Sequence, residues 1–419
     1  MREKSYMMVV PEQEQDLMDP GAMLNRLSQA EGIQVLSKKM DSDIMMLDLI
    51  VEEEQYQIEI YPTGFELPEM YRIQHFFPDV DIEALKQAEA GLAVEMIYGE
   101  DALSSYHAQL RIIHALLPNK LAIFDDSSEK ILSGQWAALA ASSNIPPAPR
   151  YIYTVQAVSG DDDVVWLHSH GLNRCGLSEL EILNSTKDVY QDHYAVIETM
   201  ANRMLEREEP LQAKAPLYLA RLTGEISVVT TLVPWEEAIN HYDNDMLGGK
   251  LDREESHNEN TSGIFVYPTS EDYEKGQYAP ISIYDEHLHD NPIYMITTKE
   301  TERMKALAAE RLEYMRKAFE CKDNHIIVKL GLEVDDEYKT EDNSREHIWF
   351  ELLDIRENDL TAKLTQEPYY IEDLHEGYTG DYTLDEITDW MIYTPERRIT
   401  PDDVYLMEVK NLPEKNKLN

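Results

Sequence analysis

The residues best suited to chemistry lie in the segment His168-Ser169-His170-Gly171-Leu172-Asn173-Arg174-Cys175-Gly176-Leu177-Ser178-Glu179-Leu180-Glu181. On a strand, side chains at i and i+2 point to the same face. The imidazoles of His168 and His170 can therefore hold one cation together. Ser178 and Glu181 follow after a loop, and Cys175 places one thiol between. The same residues also have a purely structural use. His168 closes the strand and hydrogen-bonds the backbone. His170 starts a turn shaped by Gly171 and Gly176. Glu179 and Glu181 then sit in the first turn of a helix, where the helix dipole favours carboxylates.

The spacing resembles the metal-binding stretch of metalloproteases that cleave ubiquitin-like tails, in which a His-x-His pair precedes a Ser and then an Asp. That resemblance implies zinc on His168, His170 and Glu181, with water completing the site and activated by the metal as a nucleophile. Here the carboxylate is Glu rather than Asp, and Gly171 stands where that family generally has Pro. Glu129, on an expected helix, is the nearest upstream residue for the base. A second His-x-His, His287 and His289, lies in Asp285-Glu286-His287-Leu288-His289-Asp290, expected as a solvated polar loop before Pro292. The chain has no Gly-x-Gly-x-x-Gly fingerprint, no phosphate-loop signature and no Gly-x-Ser-x-Gly elbow.

The elements that position these residues follow from periodicity. Asp43 to Ile50 and Gln55 to Tyr61 alternate apolar and polar residues and are expected strands, the second stopped by Pro62-Thr63-Gly64. Asp81 to Ala90 is an expected helix, capped by Asp79 or Asp81 and ended by Gly91. Leu121 to Phe124 is a short buried strand, followed by a helix over Glu129 to Ala141. Tyr151 to Val158 and Val164 to His168 make a hairpin. A helix over Asp192 to Glu208 carries an apolar stripe, and strands return at Leu217 to Leu222 and Ile226 to Val233. Further on, Ile264 to Tyr267, Ile281 to Tyr284 and Ile293 to Ile296 are short expected strands. One long helix covers Thr298 to Phe319, with capping-box spacing at Thr297 and Glu300. Strands follow at His325 to Val334, His347 to Ile355, Leu360 to Gln366, within Thr388 to Tyr393, and at Val404 to Val409. Strict βαβ alternation is missing, so the expected class is α+β, with mainly antiparallel sheets, packed helices and at least two domains. The expected domains are 1–118, 119–240 and 264–419, with the polar stretch 241–263 as linker or long loop.

The length of 419 residues allows two or three domains. Asp and Glu number 81 against 37 Lys and Arg, a net charge of −44. Such a chain repels phosphate backbones and anionic lipid, so neither nucleic acid nor membrane is an expected partner. No apolar run approaches the roughly 20 residues that span a bilayer. Met1 to Tyr6 leads into an acidic stretch rather than an apolar signal region. Cys175 and Cys321 are the sole cysteines, so no disulfide framework is expected. Cys321, at the end of the long helix, is expected to pack inertly. The expected compartment is the cytosol.

His347-Ile348-Trp349-Phe350-Glu351, Glu367-Pro368-Tyr369-Tyr370-Ile371, Gly377 to Asp381 and Asp389-Trp390-Met391-Ile392-Tyr393 resemble, in order and spacing, the bacterial family called domain of unknown function 2314. The remainder resembles domain of unknown function 4026, through Asp125 to Ser128, Trp136, Trp166 to Gly171 and Glu179-Leu180-Glu181. These resemblances imply a bacterial cytosolic protein with no assigned activity. Trp349 and Trp390 are expected core anchors; an aromatic-walled binding face requires Trp390 or Tyr369 to be exposed. Two functions remain open. One is a non-catalytic interaction protein whose acidic surface captures and neutralises a basic partner. The other is a zinc-dependent hydrolase using His168, His170 and Glu181.

Overall fold

Alternating apolar residues turn about a third of the chain into paired strands. A computed structural model describes residues 2–69, 77–160, 163–207, 209–222, 226–243, 246–253, 260–290, 298–339 and 344–407. Two compact units result: Met1–Ala141 with Ala148–Met295, and Ser142–Pro147 with Ile296–Asn419.

The first unit holds two sheets. The first contains β1 (Ser5–Pro11), β2 (Ile33–Asp41), β3 (Ile44–Val51), β4 (Glu54–Gly64), β5 (Ala90–Met96), β6 (Lys120–Asp125) and β7 (Lys130–Ser133). Their order is β2-β3-β4-β5-β1-β6-β7, with antiparallel neighbours throughout. Met45, Leu47, Leu49 and Val51 of β3 point into the core, as their period-two spacing requires. The helix Ala102–Leu116 is capped by Asp101, which accepts from Ser104 N at 2.7 Å. Its Gln109 reaches back to β5, donating to Val94 O at 3.2 Å.

Three expectations change here. β4 continues through Pro62 to Gly64, because beyond Ile60 it pairs with β5 alone, and a one-sided strand tolerates a residue without N–H. The helix expected over Asp81 to Ala90 is one turn, Ile82–Leu85, capped by Asp81. Gly91 lies inside β5, where a Cβ would stand 2.7 Å from Met8 Sδ. The helix expected from Glu129 begins only at Gly134. Before it, β7 folds back on β6 through a tight turn, with Glu129 in the left-handed region at φ 51°.

The second sheet contains β8 (Thr154–Ser159), β9 (Val164–His170), β10 (Glu179–Thr186), β11 (Leu217–Arg221), β12 (Ser227–Pro234), β13 (Thr261–Val266) and β14 (Ala279–Pro280). The order is β11-β12-β13-β10-β9-β8, with β14 on β13. The β10–β13 pair is parallel and the others antiparallel. The expected β8–β9 hairpin forms, although β8 starts at Thr154 and Tyr151 lies in a 3-10 turn. The helix Tyr190–Leu205 buries Ile197, Met200, Ala201 and Met204 of the expected stripe, with Val196 beside them, and leaves Tyr194 and Leu205 half-buried.

The expected domain boundaries shift accordingly. A cut after residue 118 would separate β6 from β1, its partner in the first sheet. Thr261 to Gly263 belong to β13, flanked by β10 and β12, so they are sheet interior rather than linker. The second unit begins near Ile296 rather than Ile264. Ile281–Tyr284 is a 3-10 turn and Asp285–Asp290 a short helix rather than a strand and a loop. The strand expected at Ile293 to Ile296 and the cap at Thr297 lie outside the described residues.

The second unit contains β15 (His325–Glu333), β16 (Arg345–Ile355), β17 (Asp359–Leu364), β18 (Thr379–Thr383), β19 (Ile387–Tyr393) and β20 (Arg398–Ile399). The antiparallel order is β18-β17-β16-β15-β19-β20. The expected long helix is two, Thr298–Glu310 and Leu312–Phe319. They part at Arg311, whose buried guanidinium donates to Pro401 O. Trp390 is fully buried and its indole N–H donates to Ala308 O at 3.0 Å. Cys321 is exposed rather than packed. The strand expected at Val404 to Val409 is a 3-10 helix, Pro401–Met407, as far as it is described. Together the sheets and helices make an α+β protein. No helix among the described residues is long and apolar enough to cross a membrane.

Candidate functional site

Strand geometry brings His168 and His170 to one face of β9, with ring centroids 4.9 Å apart. His168 lies opposite Glu181 in the β9–β10 ladder. All three are buried. The sequence therefore places the three residues in one neighbourhood, but the carboxylate is already engaged. Glu181 Oε2 accepts from Arg253 Nη2 at 2.5 Å and from Trp166 Nε1 at 3.2 Å. Arg253 is held in turn by Gly248 O at 2.8 Å and by the rings of Trp166 and Trp235, 5.4 and 4.6 Å from its guanidinium. Burial raises the Glu181 pKa and the Arg253 charge opposes that rise. Glu181 Oε1 has no hydrogen bond among the described residues. His168 packs on Trp166, with centroids 4.1 Å apart.

Glu129 does come near, its Oε1 3.5 Å from His170 Nδ1, while its Oε2 accepts from Gln156 at 2.6 Å. Ser178 turns away: its hydroxyl donates to Glu179 O and lies 2.9 Å from Ser262 Oγ. The buried Cys175 thiol is pushed up to about 12 by burial, against the pull of Arg174, and so stays protonated. Glu179 is no helix-dipole residue. It opens β10 and accepts from Ser169 Oγ, Gly171 N and Asn173 N at 2.5, 2.8 and 3.0 Å, tying down the connecting turn. His289 is on a helix, 3.4 Å from Asp192. Among the described residues, no group of three or more His, Cys, Asp or Glu is placed to hold a metal ion.

Two buried clusters escaped the sequence. Arg174 forms a bidentate pair with Asp125, at 2.6 and 2.8 Å, and donates to Ser5 Oγ at 3.0 Å and to Ile152 O. Tyr98 and Tyr106 flank it. The only local signal was an Arg in a short loop beside Cys and Gly. Ser185, His193 and Asp285 form the second cluster. Ser185 Oγ is 2.7 Å from His193 Nδ1, and His193 Nε2 is 2.9 Å from Asp285 Oδ1. This has the connectivity of a nucleophile relay, but Ser185 is 1% exposed. A hydroxyl with no approach for substrate serves to join β10 to two helices.

The second unit carries a different kind of surface. Tyr369 is 80% exposed, Tyr378 50% and Tyr370 41%. Tyr370 lies between Tyr338 and Tyr369, with centroids 5.7 and 6.3 Å away. Carboxylates shape the backbone that presents them. Glu346 accepts from Tyr369 N and Tyr370 N at 2.8 and 2.9 Å, and Asp335 accepts from Glu372 N at 2.7 Å. Glu367 accepts from Glu376 N and from His375 Nδ1, and both hold its pKa below the usual carboxylate range. Of the two aromatics either of which could open a binding face, Trp390 is core and Tyr369 is exposed.

Taken together, these features define an α+β protein of two units whose buried ionisable clusters brace strands and turns. The chain belongs to the family described as protein of unknown function DUF4026, whose N-terminal part matches residues 5–147 and C-terminal part residues 155–265. Residues 299–408 match the family described as uncharacterized protein conserved in bacteria, DUF2314. No curated protein and no solved structure matches the chain.

Proposed function

We propose that this is a non-catalytic, cytosolic interaction protein whose acidic surface captures a basic partner. The distribution of its carboxylates carries the proposal. Among the described residues the buried acids are Asp125, Glu179, Glu181, Glu346 and Asp389. Each accepts hydrogen bonds that hold the fold: from Arg174, from three donors of the turn, from Arg253 and Trp166, from Tyr369 and Tyr370, and from Trp390 N. The other acids among the described residues therefore reach solvent at least in part, where they attract cations and repel phosphate and anionic lipid. Attraction of this kind acts over a Debye length of about 8 Å at physiological ionic strength and fades in high salt.

The zinc-hydrolase alternative needs Glu181 as a ligand through Oε1, because Oε2 is taken by Arg253 and Trp166. The test is capture by the full chain at low salt, with zinc measured on the same preparation. The expected result is a stoichiometric basic partner that elutes as salt rises. Failure to recover any partner at low salt overturns the proposal. So does one zinc per chain with hydrolytic activity that His168→Ala/His170→Ala abolishes.

A further inference from the structure

We infer that the tyrosine face of the second unit, centred on Tyr369 and Tyr370, is the docking surface, and that it takes arginine side chains of an extended cationic segment. This rests on the binding function proposed above and names its location and chemistry. Residues 335–339 and 365–379 contain seven acids, Asp335, Asp336, Glu337, Glu367, Glu372, Asp373 and Glu376, against one lysine, Lys339, and one histidine, His375. They share these two segments with Tyr338, Tyr369, Tyr370 and Tyr378, of which Tyr369 is the most exposed. A guanidinium stacks on a phenol ring while carboxylates at the rim take its N–H groups.

The display is ordered before any partner arrives. Glu346 fixes the backbone of both tyrosines, Asp335 N donates to Tyr370 O at 3.0 Å, and Glu367 ties the far end of the loop. Binding therefore pays little ordering entropy. Charge selects the occupant. Bases of a nucleic acid also stack on tyrosine, but their phosphates meet this acidic rim. A second copy of the chain brings another −44. A basic peptide segment is the occupant that satisfies both the rings and the rim.

The test uses the full chain and a dye-labelled peptide of alternating arginine and glycine, followed by anisotropy at about 20 and 150 mM salt. Tyr369→Ala/Tyr370→Ala is expected to weaken binding about tenfold at the higher salt, while Tyr369→Phe/Tyr370→Phe keeps it, because the ring face persists. Asp43→Asn/Glu53→Gln, which removes two exposed acids from the first unit, is expected to change it less than about twofold. Should the alanine pair lower the melting temperature, Tyr369→Ala alone, the most exposed position, is the variant compared. A peptide that binds wild type and all variants alike overturns this location and leaves the binding function standing. A peptide that does not bind wild type even at low salt overturns both.

Discussion

Asp125→Asn keeps the shape of the side chain and removes the charge facing Arg174. The two are 0% and 1% exposed and joined by two short hydrogen bonds. Burial alone pushes the Arg174 pKa down; Asp125 more than reverses this, so the guanidinium stays charged. The intact pair is worth little over a well-packed apolar pair, because both charges were desolvated to form it. Removing one partner differs, since it strands a buried cation, at roughly 3–5 kcal/mol. At about 2–4 °C per kcal/mol for a large domain, the first unit's melting transition should fall by on the order of 10 °C. Asp125→Leu/Arg174→Met removes both charges and should recover more than half of that loss. Ser5 and Asp125 belong to the first sheet, whereas Arg174 follows β9 of the second, so the loss reports on the seam between them. Calorimetry of the full chain measures both variants. A single variant melting within about 2 °C of wild type, or a double variant melting lower than the single, would refute the reasoning.

Three other expectations follow from buried groups. Burial, with Asp402 adding to it, raises the Asp389 carboxyl to about 6, against Trp390 N–H, Lys329 and Arg303. Between about pH 4 and pH 6 the folded unit keeps a proton that the unfolded chain has lost, so stability falls as pH rises. Asp389→Asn escapes this and should gain on wild type by on the order of 2 kcal/mol from pH 4 to pH 7 in urea titrations; a constant offset contradicts the assignment. With a thiol reagent, exposed Cys321 should react in the native protein and Cys175 only after unfolding, so two fast thiols per chain would be the wrong result. A fluorophosphonate probe should leave Ser185 unlabelled, because the hydroxyl is buried; labelling lost in Ser185→Ala would reveal an accessible nucleophile.

Local periodicity was enough for elements that carry their own signal. Ile44–Val51 alternates, Tyr190–Leu205 has a stripe every three to four residues, and the β8–β9 hairpin joins two such runs. It was not enough where the partner decides the element. Lys130–Ser133 precedes an alanine-rich helix and shares its apolar character, yet pairing with β6 makes it a strand. Thr261–Val266 starts in a polar stretch and is buried because β10 and β12 flank it, a parallel pairing on one side that leaves no local mark. Composition therefore put the domain boundary at a loop that leads into the sheet.

The same physics limited the site. Spacing alone put His168 and His170 on one face, because side-chain direction in a strand is local. Whether Glu181 could ligate a metal was not local. Its cation, Arg253, is 72 residues away in sequence, within the stretch expected to be linker, and is held there by two tryptophans and a backbone carbonyl. A buried carboxylate needs a compensating positive charge, and either a metal ion or a guanidinium can supply it. The distinction between a metal centre and a brace therefore rests on which cation the distant chain delivers. Tyr369 shows the converse. Its neighbours in sequence are Pro, Tyr and acids, the composition of an ordinary loop, and what sets it apart is that Glu346, on β16, fixes its backbone and leaves its ring in water.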